Sequence, residues 1–308
     1  MPDYRPNKGP KCYPRQRTVR VTLIGLGVGM PTTVPQGIKD DIKLLKSAAV
    51  HAGIIALGFF RTDMRTWTKN LTSPVSEADV AVDTFLSGAL RAARPDYGWL
   101  SEETADSPAR LGHQRVFIVD PIDGTRGYIR GEDSWTISLA VVENGVAVAG
   151  VVYAPVRDEM YVGGLGLGAT CNDVPMRARR TSSEAPLIPA PAAVHHELAA
   201  IGLNHTRGPA YPSLAYRLVQ VASGKLDAAV ARRGAQDWDI AGADIILSEA
   251  GARFEDVCLG TPRYNGADTR HAALAATADI SLLSPLCDAL RVVYGCPQPD
   301  SDNPEPQA

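Results

Sequence analysis

The chain has 308 residues, of which 45% are hydrophobic, so it can bury one large core or two moderate ones. A formal net charge of −3 argues against a basic surface for a nucleic-acid polymer, and no apolar run reaches the roughly 18 residues needed to span a bilayer. Five scattered cysteines without CxxC spacing argue against a zinc site or a disulfide framework, and they fit a reducing, cytoplasmic compartment.

The two ends of the chain differ in composition from the rest. Residues 1–36 carry six basic residues and one acid, with several prolines and the apolar run VTLIGLGVG. This run is too short and too broken by glycine for a targeting peptide, and it lacks the third glycine of a nucleotide-binding fingerprint. We expect a disordered extension, or a true start at Met30, and a disordered tail at 297–308.

Two amphipathic helices open the folded part of the chain. Apolar residues repeat at three- and four-residue steps from Gln36 to Phe60, and a second helix is predicted from Glu77 to Ala93. The polar stretch between them reads as a loop or an irregular hairpin. Asp79 and Asp83 lie near the start of the second helix, where acids favour the helix dipole; facing a metal site is the alternative for Asp79.

Acidic residues then follow two predicted strands. The strand Tyr97–Glu103 ends in Glu102 and Glu103, only one of which can face a given site, because neighbouring side chains on a strand point in opposite directions. The stretch VFIVDPIDGTRGY reads as a buried strand that Pro121 ends, with two aspartates at its end followed by glycine and threonine. Acids beside a turn with free amides can hold a hard cation and a phosphate together.

The remaining patterns predict two layered regions. Two apolar runs joined by Glu143-Asn144-Gly145 predict an antiparallel hairpin, so residues 37–180 read as an α+β region. Residues 181–210 read as a solvated loop whose three histidines lack metal-ligand spacing. Helices then alternate with short strands, so residues 181–296 read as a smaller α/β region, in which Asp239 is predicted to cap a helix.

Four stretches in this order resemble one family. They are SPVSEAD, WLSEE, DPIDGT and WDIAGADIILSEAGA, and they begin at Ser73, Trp99, Asp120 and Trp238. The set resembles the inositol monophosphatase superfamily of magnesium-dependent, lithium-sensitive phosphatases over about residues 38–295. The resemblance implies a sugar-phosphatase-like fold of alternating layers, αβαβα, with the active site between the two regions. It also implies a small-molecule phosphate ester as substrate, no stable membrane insertion, and a monomer or homodimer.

The resemblance also implies a set of metal ligands. Glu102, Asp120 and the carbonyl of Ile122 would hold one magnesium ion. Asp120, Asp123 and Asp239 would hold a second. Carboxylates crowded in this way repel each other unless divalent cations neutralise them. Two such ions can clamp the attacking and leaving oxygens of an in-line displacement.

The remaining roles follow from the same resemblance. Asp79 would approach a third, weaker ion together with Glu102, and with Thr125 it would orient and deprotonate the attacking water. Glu103 would support this group, and the amides of Gly124 and Thr125 would bind phosphate oxygens. The residues expected to contact substrate are Glu102, Ile122, Asp123, Gly124, Thr125, Asp239, Arg126, Arg232 and Lys69.

Several details resemble the 3′(2′),5′-bisphosphate nucleotidase branch, which converts 3′-phosphoadenosine 5′-phosphate to AMP. They include Lys69, Ser-Pro-Val before Ser76, and Arg232 where inositol monophosphatases place a glutamate for sugar hydroxyls. Ser76 itself, Leu71 and the Arg126-Gly127-Tyr128 triplet depart from that branch. Inositol-1-monophosphatase or fructose-1,6-bisphosphatase activity is the alternative, and a phosphate- or metal-binding relative without catalysis is the non-enzyme alternative.

Overall fold

The computed structural model describes residues 36–69, 73–180, 183–258 and 260–296, and a seven-stranded sheet lies at its centre. The predictions for residues 1–35, including a start at Met30, and for the tail lie outside the described residues, whereas Gln36 already begins a helix. The described helices are α1 Gln36–Phe59, α2 Glu77–Ala93, α3 Thr125–Ile129, α4 Ala192–Ala200, α5 Leu214–Ala222, α6 Asp237–Ala250 and α7 Ile280–Tyr294, with a 3₁₀ helix at Pro108–Gly112.

The strands among the described residues form four sheets. The central sheet has the order β3-β4-β5-β6-β7-β8-β9, in which only the β3–β4 pair is parallel. An antiparallel three-stranded sheet has the order β12-β14-β13, and β1–β2 and β10–β11 are small pairs. The strands are β1 Thr66–Lys69, β2 Ser73–Ser76, β3 Gly98–Ser101, β4 Arg115–Asp123, β5 Thr136–Glu143, β6 Val146–Ala154, β7 Glu159–Gly164, β8 Gly168–Cys171, β9 Val174–Met176, β10 Leu187–Ile188, β11 Thr206–Arg207, β12 Ala228–Ala231, β13 Arg253–Asp256 and β14 Leu274–Thr277.

Alternation along β4 explains how the layers form. Phe117 and Val119 pack in the core formed with α1 and α2, whereas Val116 and Ile118 pack in the core formed with α5 and α6. Successive side chains of a strand point to opposite faces, so one apolar strand feeds both cores. A third core lies between α4, α7 and the three-stranded sheet. These layers confirm the predicted αβαβα fold, while the division into regions near residue 180 stays a prediction.

One close approach fixes the distance between the central sheet and α6. A Cβ atom at Gly150 on β6 would lie 2.3 Å from the carbonyl oxygen of Gly242. Because such a contact is forbidden, only glycine allows the helix to lie so near the strand. α6 carries Asp239, so this contact also sets the distance between that carboxylate and the sheet.

Helix α1 is the one described helix that is long and apolar enough to cross a membrane, by length and composition alone. In the fold it packs against α2 and the central sheet and buries Leu45, Ala49, Ala52 and Ala56. The helices of protein cores satisfy the same test, and we assign α1 to the core of this domain.

Three local expectations were wrong. The strand β4 does not stop at Asp120 but continues to Asp123 through a bulge, where Pro121 needs no ladder partner. The stretch 181–210 contains α4, and its histidines are not all solvated. His195 is 5% exposed, and its ring stacks on His205 with 2.8 Å between Nδ1 and Nε2.

Candidate active site

The end of β4 supplies two carboxylates and a turn. Asp120 Oδ1 accepts a hydrogen bond from the Ile122 amide at 3.1 Å, which fixes this carboxylate within the bulge. Gly124 then has a φ of +93°, and a Cβ there would lie 2.9 Å from the amide nitrogen of Ser213. Only glycine satisfies both conditions, so this turn can lie directly on the start of α5.

Asp123 is held by the N-terminus of α5. Its Oδ2 accepts hydrogen bonds from Ser213 Oγ at 2.5 Å and from the Ala215 amide at 2.6 Å. Ser213 is the N-cap of α5, and its hydroxyl also accepts a bond from the Tyr216 amide. Negative charge is stabilised at a helix N-terminus, so α5 positions the Asp123 carboxylate and favours its charge.

Asp239 occupies the first turn of α6. The expectation that Asp239 caps this helix was wrong, because the helix begins two residues earlier and Gln236 is its N-cap. Asp239 Oδ2 accepts a hydrogen bond from the Gln236 amide at 2.6 Å, which completes a capping box. Its neighbour Asp237 accepts bonds from Asn265 N and His271 Nε2, both at 2.7 Å.

Asp79 combines the two roles that the sequence left open. It is the third residue of α2, and its Oδ2 accepts bonds from the amide and the hydroxyl of Ser76, the N-cap. Its Oδ1 lies 3.2 Å from Thr125 Oγ1, which also lies 3.0 Å from the carbonyl oxygen of Ile122. Asp79 therefore caps its helix and also faces the turn that follows β4.

The two glutamates after β3 have different surroundings. Burial, followed by the charge of Asp239, raises the pKa of Glu102. Burial, followed by the charge of Glu102, raises the pKa of Asp120, so Glu102 lies with the aspartates. Glu103 Oε2 lies 3.6 Å from Lys69 Nζ, and that ammonium group also donates to the carbonyl oxygen of Glu102. Lys69, predicted to contact substrate, is thus engaged with the two glutamates here.

The carboxylates form one buried acidic cluster. One oxygen each from Asp120, Asp123 and Asp239 lies within 4.8 Å of the others. Burial, followed by repulsion from neighbouring carboxylates, raises the pKa of Glu102 to about 8. Burial and the charge of Asp123 raise the pKa of Asp239 to about 7, and burial raises the pKa of Asp120 well above its ordinary value. Without a counter-charge, these groups hold protons near neutral pH.

The cluster suits a divalent metal ion. The candidate ligands are carboxylate oxygens and one backbone carbonyl, the donors that magnesium and similar hard cations prefer. Burial and mutual repulsion penalise the ionised state, and a bound cation would remove that penalty. The residues present therefore fit a metal centre of oxygen ligands.

A cavity of about 800 Å³ opens beside the cluster. Glu102, Asp120, Asp123 and Asp239 line one part of it, together with the turn at Gly124 and Thr125. The predicted substrate residues Arg126 and Arg232 also line it. The arginines in its wall are Arg126, Arg130, Arg217, Arg232 and Arg233.

Arg217 on α5 interacts with both kinds of charged group in the cavity. Its guanidinium group is close enough to Asp123, Asp239 and Arg232 to interact electrostatically with all three. Burial lowers the pKa of its guanidinium group, and the two carboxylates partly offset this effect. The cavity therefore joins the acidic cluster to an arginine-rich wall, which we call its basic pole.

Sequence patterns alone did not identify Ser213, Arg130, Arg217 and Arg233 as residues of this site. Pro212-Ser213 before an apolar helix is a recognisable start signal, but it does not show that the helix begins against Asp123. The arginines lie on separate segments that only tertiary packing brings to one cavity.

Comparisons with known proteins agree with this geometry. The model of the inositol monophosphatase family matches residues 40–287. The histidinol-phosphatase of Mycobacterium tuberculosis is 32% identical over 235 residues, covering 70% of this chain and 86% of that protein. The 3′(2′),5′-bisphosphate nucleotidase CysQ of Salmonella typhimurium is 46% identical over 92 residues, but these cover only 29% of this chain and 37% of that protein. The crystal structure of the extragenic suppressor protein suhB from Bartonella henselae superposes with a TM-score of 0.72 at 27% identity, covering 82% of this chain and 98% of that one.

Proposed function

The chain belongs to the inositol monophosphatase family and is a metal-dependent phosphatase, and we propose that its metal is magnesium and its substrate a bisphosphorylated nucleotide. The reaction proposed is hydrolysis of 3′-phosphoadenosine 5′-phosphate to AMP and phosphate. The observation that carries the proposal is that five arginines line the same cavity as the acidic cluster, and that one of them, Arg217, interacts electrostatically with Asp123 and Asp239.

Five groups would hold the metal ions, two or three in number: the carboxylates of Glu102, Asp120, Asp123 and Asp239, and the carbonyl of Ile122. Asp79 would approach a third ion. When bound, magnesium would neutralise the cluster, lower the pKa of a water molecule and stabilise the leaving oxygen. We expect Asp120 to contribute strongly to metal binding, because its buried carboxylate interacts electrostatically with four other acids, Glu102, Asp123, Asp239 and Asp79.

The residues of the turn would then orient the reaction. The amides of Gly124 and Thr125 border the cavity beside the acids, where they can donate to phosphate oxygens. Thr125 Oγ1 and Asp79 Oδ1 lie 3.2 Å apart, and burial raises the pKa of Asp79. Asp79 can therefore take up a proton passed from the attacking water through the threonine hydroxyl, while the ester bond to phosphorus breaks. Glu103 supports this arrangement through Lys69, which bonds to the Glu102 carbonyl.

The basic pole selects among phosphate esters. The acidic cluster with its metal can hold one phosphate, but a second phosphate needs cations, and five arginines line the same cavity. A substrate with an ammonium group would be repelled by them, which argues against histidinol phosphate despite the relative of that name. Inositol 1-phosphate, the alternative, offers only hydroxyl groups to the arginines.

The test is a comparison of kcat/KM for 3′-phosphoadenosine 5′-phosphate, inositol 1-phosphate and fructose 1,6-bisphosphate, with magnesium and with a chelator. We expect the nucleotide to be the best substrate and the chelator to abolish hydrolysis. Arg232→Ala should lower kcat/KM for the nucleotide about tenfold to hundredfold, since a charge-assisted contact is worth roughly 1.5–3 kcal/mol. Arg126→Ala is the parallel variant.

The exposed Arg253 on β13, outside the cavity lining, supplies the matched control. Arg253→Ala should leave all three rates nearly unchanged. Equal losses on inositol 1-phosphate and the nucleotide in Arg232→Ala would indicate a structural role for this arginine. A parent enzyme that prefers inositol 1-phosphate would refute the proposed substrate.

Three further properties are proposed on the strength of family membership. We expect inhibition by lithium, which a titration of hydrolysis with LiCl would detect. A cytoplasmic location is supported by the free thiols of the described cysteines, Cys171, Cys258, Cys287 and Cys296. We expect a monomer or a homodimer.

A further inference from the structure

An aromatic side chain forms part of the wall of the cavity that also contains the acids and the arginines. Tyr211 is partly exposed and lines the cavity together with the apolar residues Pro189, Ala190 and Pro191. It is the one tyrosine, tryptophan or phenylalanine among the described residues that line this cavity. An aromatic ring in the same cavity as these acids and arginines needs an explanation other than the binding of phosphate.

The ring of Tyr211 is supported by other side chains. Tyr216 on α5 meets it in a T-shaped arrangement, with 5.0 Å between the ring centroids. The guanidinium group of Arg157 lies over both rings, 5.7 Å from the centroid of Tyr211 and 5.4 Å from that of Tyr216. Arg157 is itself fixed by Asp133 at 2.7 Å, and the Tyr216 hydroxyl donates to Glu159 at 2.7 Å. The aromatic position is therefore preorganised.

Tyr211 is also closely coupled to the reaction centre. The next residue, Pro212, packs so tightly on Gly127 that a Cβ there would lie 2.3 Å from Pro212 Cγ. Ser213 follows and holds the Asp123 carboxylate at 2.5 Å. A group stacked on Tyr211 would thus have a fixed position relative to the metal ligands and to the turn at Gly124.

We propose that Tyr211 is the stacking surface for the base of the substrate, so that the enzyme selects nucleotides over other bisphosphates. This inference rests on the proposed function, because it assigns a subsite within the same cavity. Stacking on an aromatic ring is available to every nucleobase and absent for a sugar bisphosphate. The metal centre and the arginines would hold the phosphates. The ring of Tyr211 would add a favourable contact only when the substrate also carries a base.

The experiment compares two ligands that differ only in the base. They are 3′-phosphoadenosine 5′-phosphate and its abasic analogue, in which hydrogen replaces the adenine. Tyr211→Leu should lower kcat/KM for the nucleotide by about fivefold to hundredfold, as loss of base stacking does, and leave the abasic analogue nearly unchanged. Tyr211→Phe keeps the ring and should retain the preference for the nucleotide. Thermal unfolding of both variants verifies that they fold.

The two proposals can fail separately. Equal losses on both ligands in Tyr211→Leu, or no loss on either, would overturn the role of Tyr211 and leave the preference for bisphosphates intact. If the parent enzyme shows no preference for bisphosphates, the inhibition constants of AMP and ribose 5-phosphate are measured instead of kcat/KM for the nucleotide and its abasic analogue. A selective loss of AMP binding in Tyr211→Leu would then support the stacking surface while the proposed substrate fails, and equal binding of AMP in parent and variant would overturn it.

Discussion

At the scale of single residues, three candidate metal ligands are held in place by the same kind of hydrogen bond. Asp120, Asp123 and Asp239 each have one carboxylate oxygen bonded to a backbone amide. A carboxylate fixed in this way loses little conformational freedom on binding a cation, so the site is preorganised. For Asp120 and Asp239 the amide lies two or three residues away in sequence, whereas for Asp123 it belongs to α5, 92 residues further on.

Ser213 makes the Asp123 contact testable. Its hydroxyl bonds to Asp123 Oδ2 and caps α5, so Ser213→Ala removes both a cap and a positioning contact. We expect the free energy of unfolding to fall by about 1 kcal/mol and the affinity for magnesium to fall by about tenfold or more. Urea unfolding and calorimetric titration with magnesium measure the two effects.

Asp279 provides the control for this prediction. Its side chain caps α7 by accepting from the Ser281 amide at 3.0 Å, outside the cavity lining. Asp279→Ala should lose a similar amount of stability without changing magnesium affinity. Unchanged affinity in Ser213→Ala would show that the Asp123 carboxylate keeps its position without the hydroxyl.

At the scale of elements, a buried arginine connects the two halves of the acidic cluster. Arg110, in the 3₁₀ helix that follows β3, is 3% exposed. Its guanidinium group donates to Asn265 Oδ1 at 2.7 Å and to the carbonyl oxygen of Gly266 at 3.0 Å. The amide of Asn265 in turn bonds to Asp237 at 2.7 Å in the first turn of α6. Glu102 and Asp239 thus lie on elements joined by this chain of contacts.

Asn265→Gly removes the Arg110 contact without straining the backbone, because Asn265 has a φ of +58°. Loss of a hydrogen bond to a charged group should cost about 1.5–3 kcal/mol of unfolding free energy. We also expect weaker magnesium binding, since the contact aligns the two elements that carry the ligands. Urea unfolding and magnesium titration measure both effects.

Asn144 in the β5–β6 hairpin offers the same backbone change away from the cavity, with a φ of +50°. Asn144→Gly should leave magnesium affinity at the parent value. If Asn265→Gly also leaves it there, the connection through Arg110 stabilises the fold without aligning the metal ligands.

Sequence patterns predicted most elements, for reasons visible in the structure. Helices α1 and α2 have apolar periodicity, and α2 begins at a serine cap, so their bounds agree with the predictions within one residue. The strands β8 and β9 and the helix α4 were missed. β8 and β9 have only three or four residues each. The N-cap of α4 is Pro191, whose side chain makes no capping hydrogen bond. None of these three elements therefore has a strong local signal in the sequence.

At the scale of the whole molecule, the fold and the basic pole of the cavity differ in how far sequence could predict them. The layered fold follows from apolar alternation and from the family motifs, both of which are local. The basic pole is assembled from residues near Arg126, Arg217 and Arg232, whose proximity depends on the packing of α5 and α6 against the central sheet. Tyr211 was missed for the same reason, since its neighbours Arg157 and Tyr216 are brought to it by tertiary contacts.

The acidic cluster makes the stability of the whole domain depend on pH and on metal. Burial raises the pKa of Glu102 from 4.5 to about 8, and the pKa of Asp239 from 3.8 to about 7. Between these unfolded and folded pKa values, the two carboxyl groups keep their protons in the folded chain but have released them in the unfolded chain. The unfolded state therefore binds fewer protons, and stability falls as pH rises from about 5 to 8. Bound magnesium favours the ionised carboxylates and should remove this dependence.

We therefore expect the melting temperature of the metal-free protein to fall by about 5–10 °C per pH unit between pH 5 and 7, where the folded chain retains two extra protons, and that of the magnesium-loaded protein to stay nearly level. Buried His195 contributes an opposite slope, because burial lowers its pKa, but that contribution is the same in both samples and cancels in their difference. Asp120→Asn removes one charge from the cluster and should reduce the pH dependence of the melting temperature measured in the presence of a chelator. Parallel curves of melting temperature against pH with and without magnesium would contradict a metal centre in this cluster. A cation bound there must displace the protons that neutralise the carboxylates.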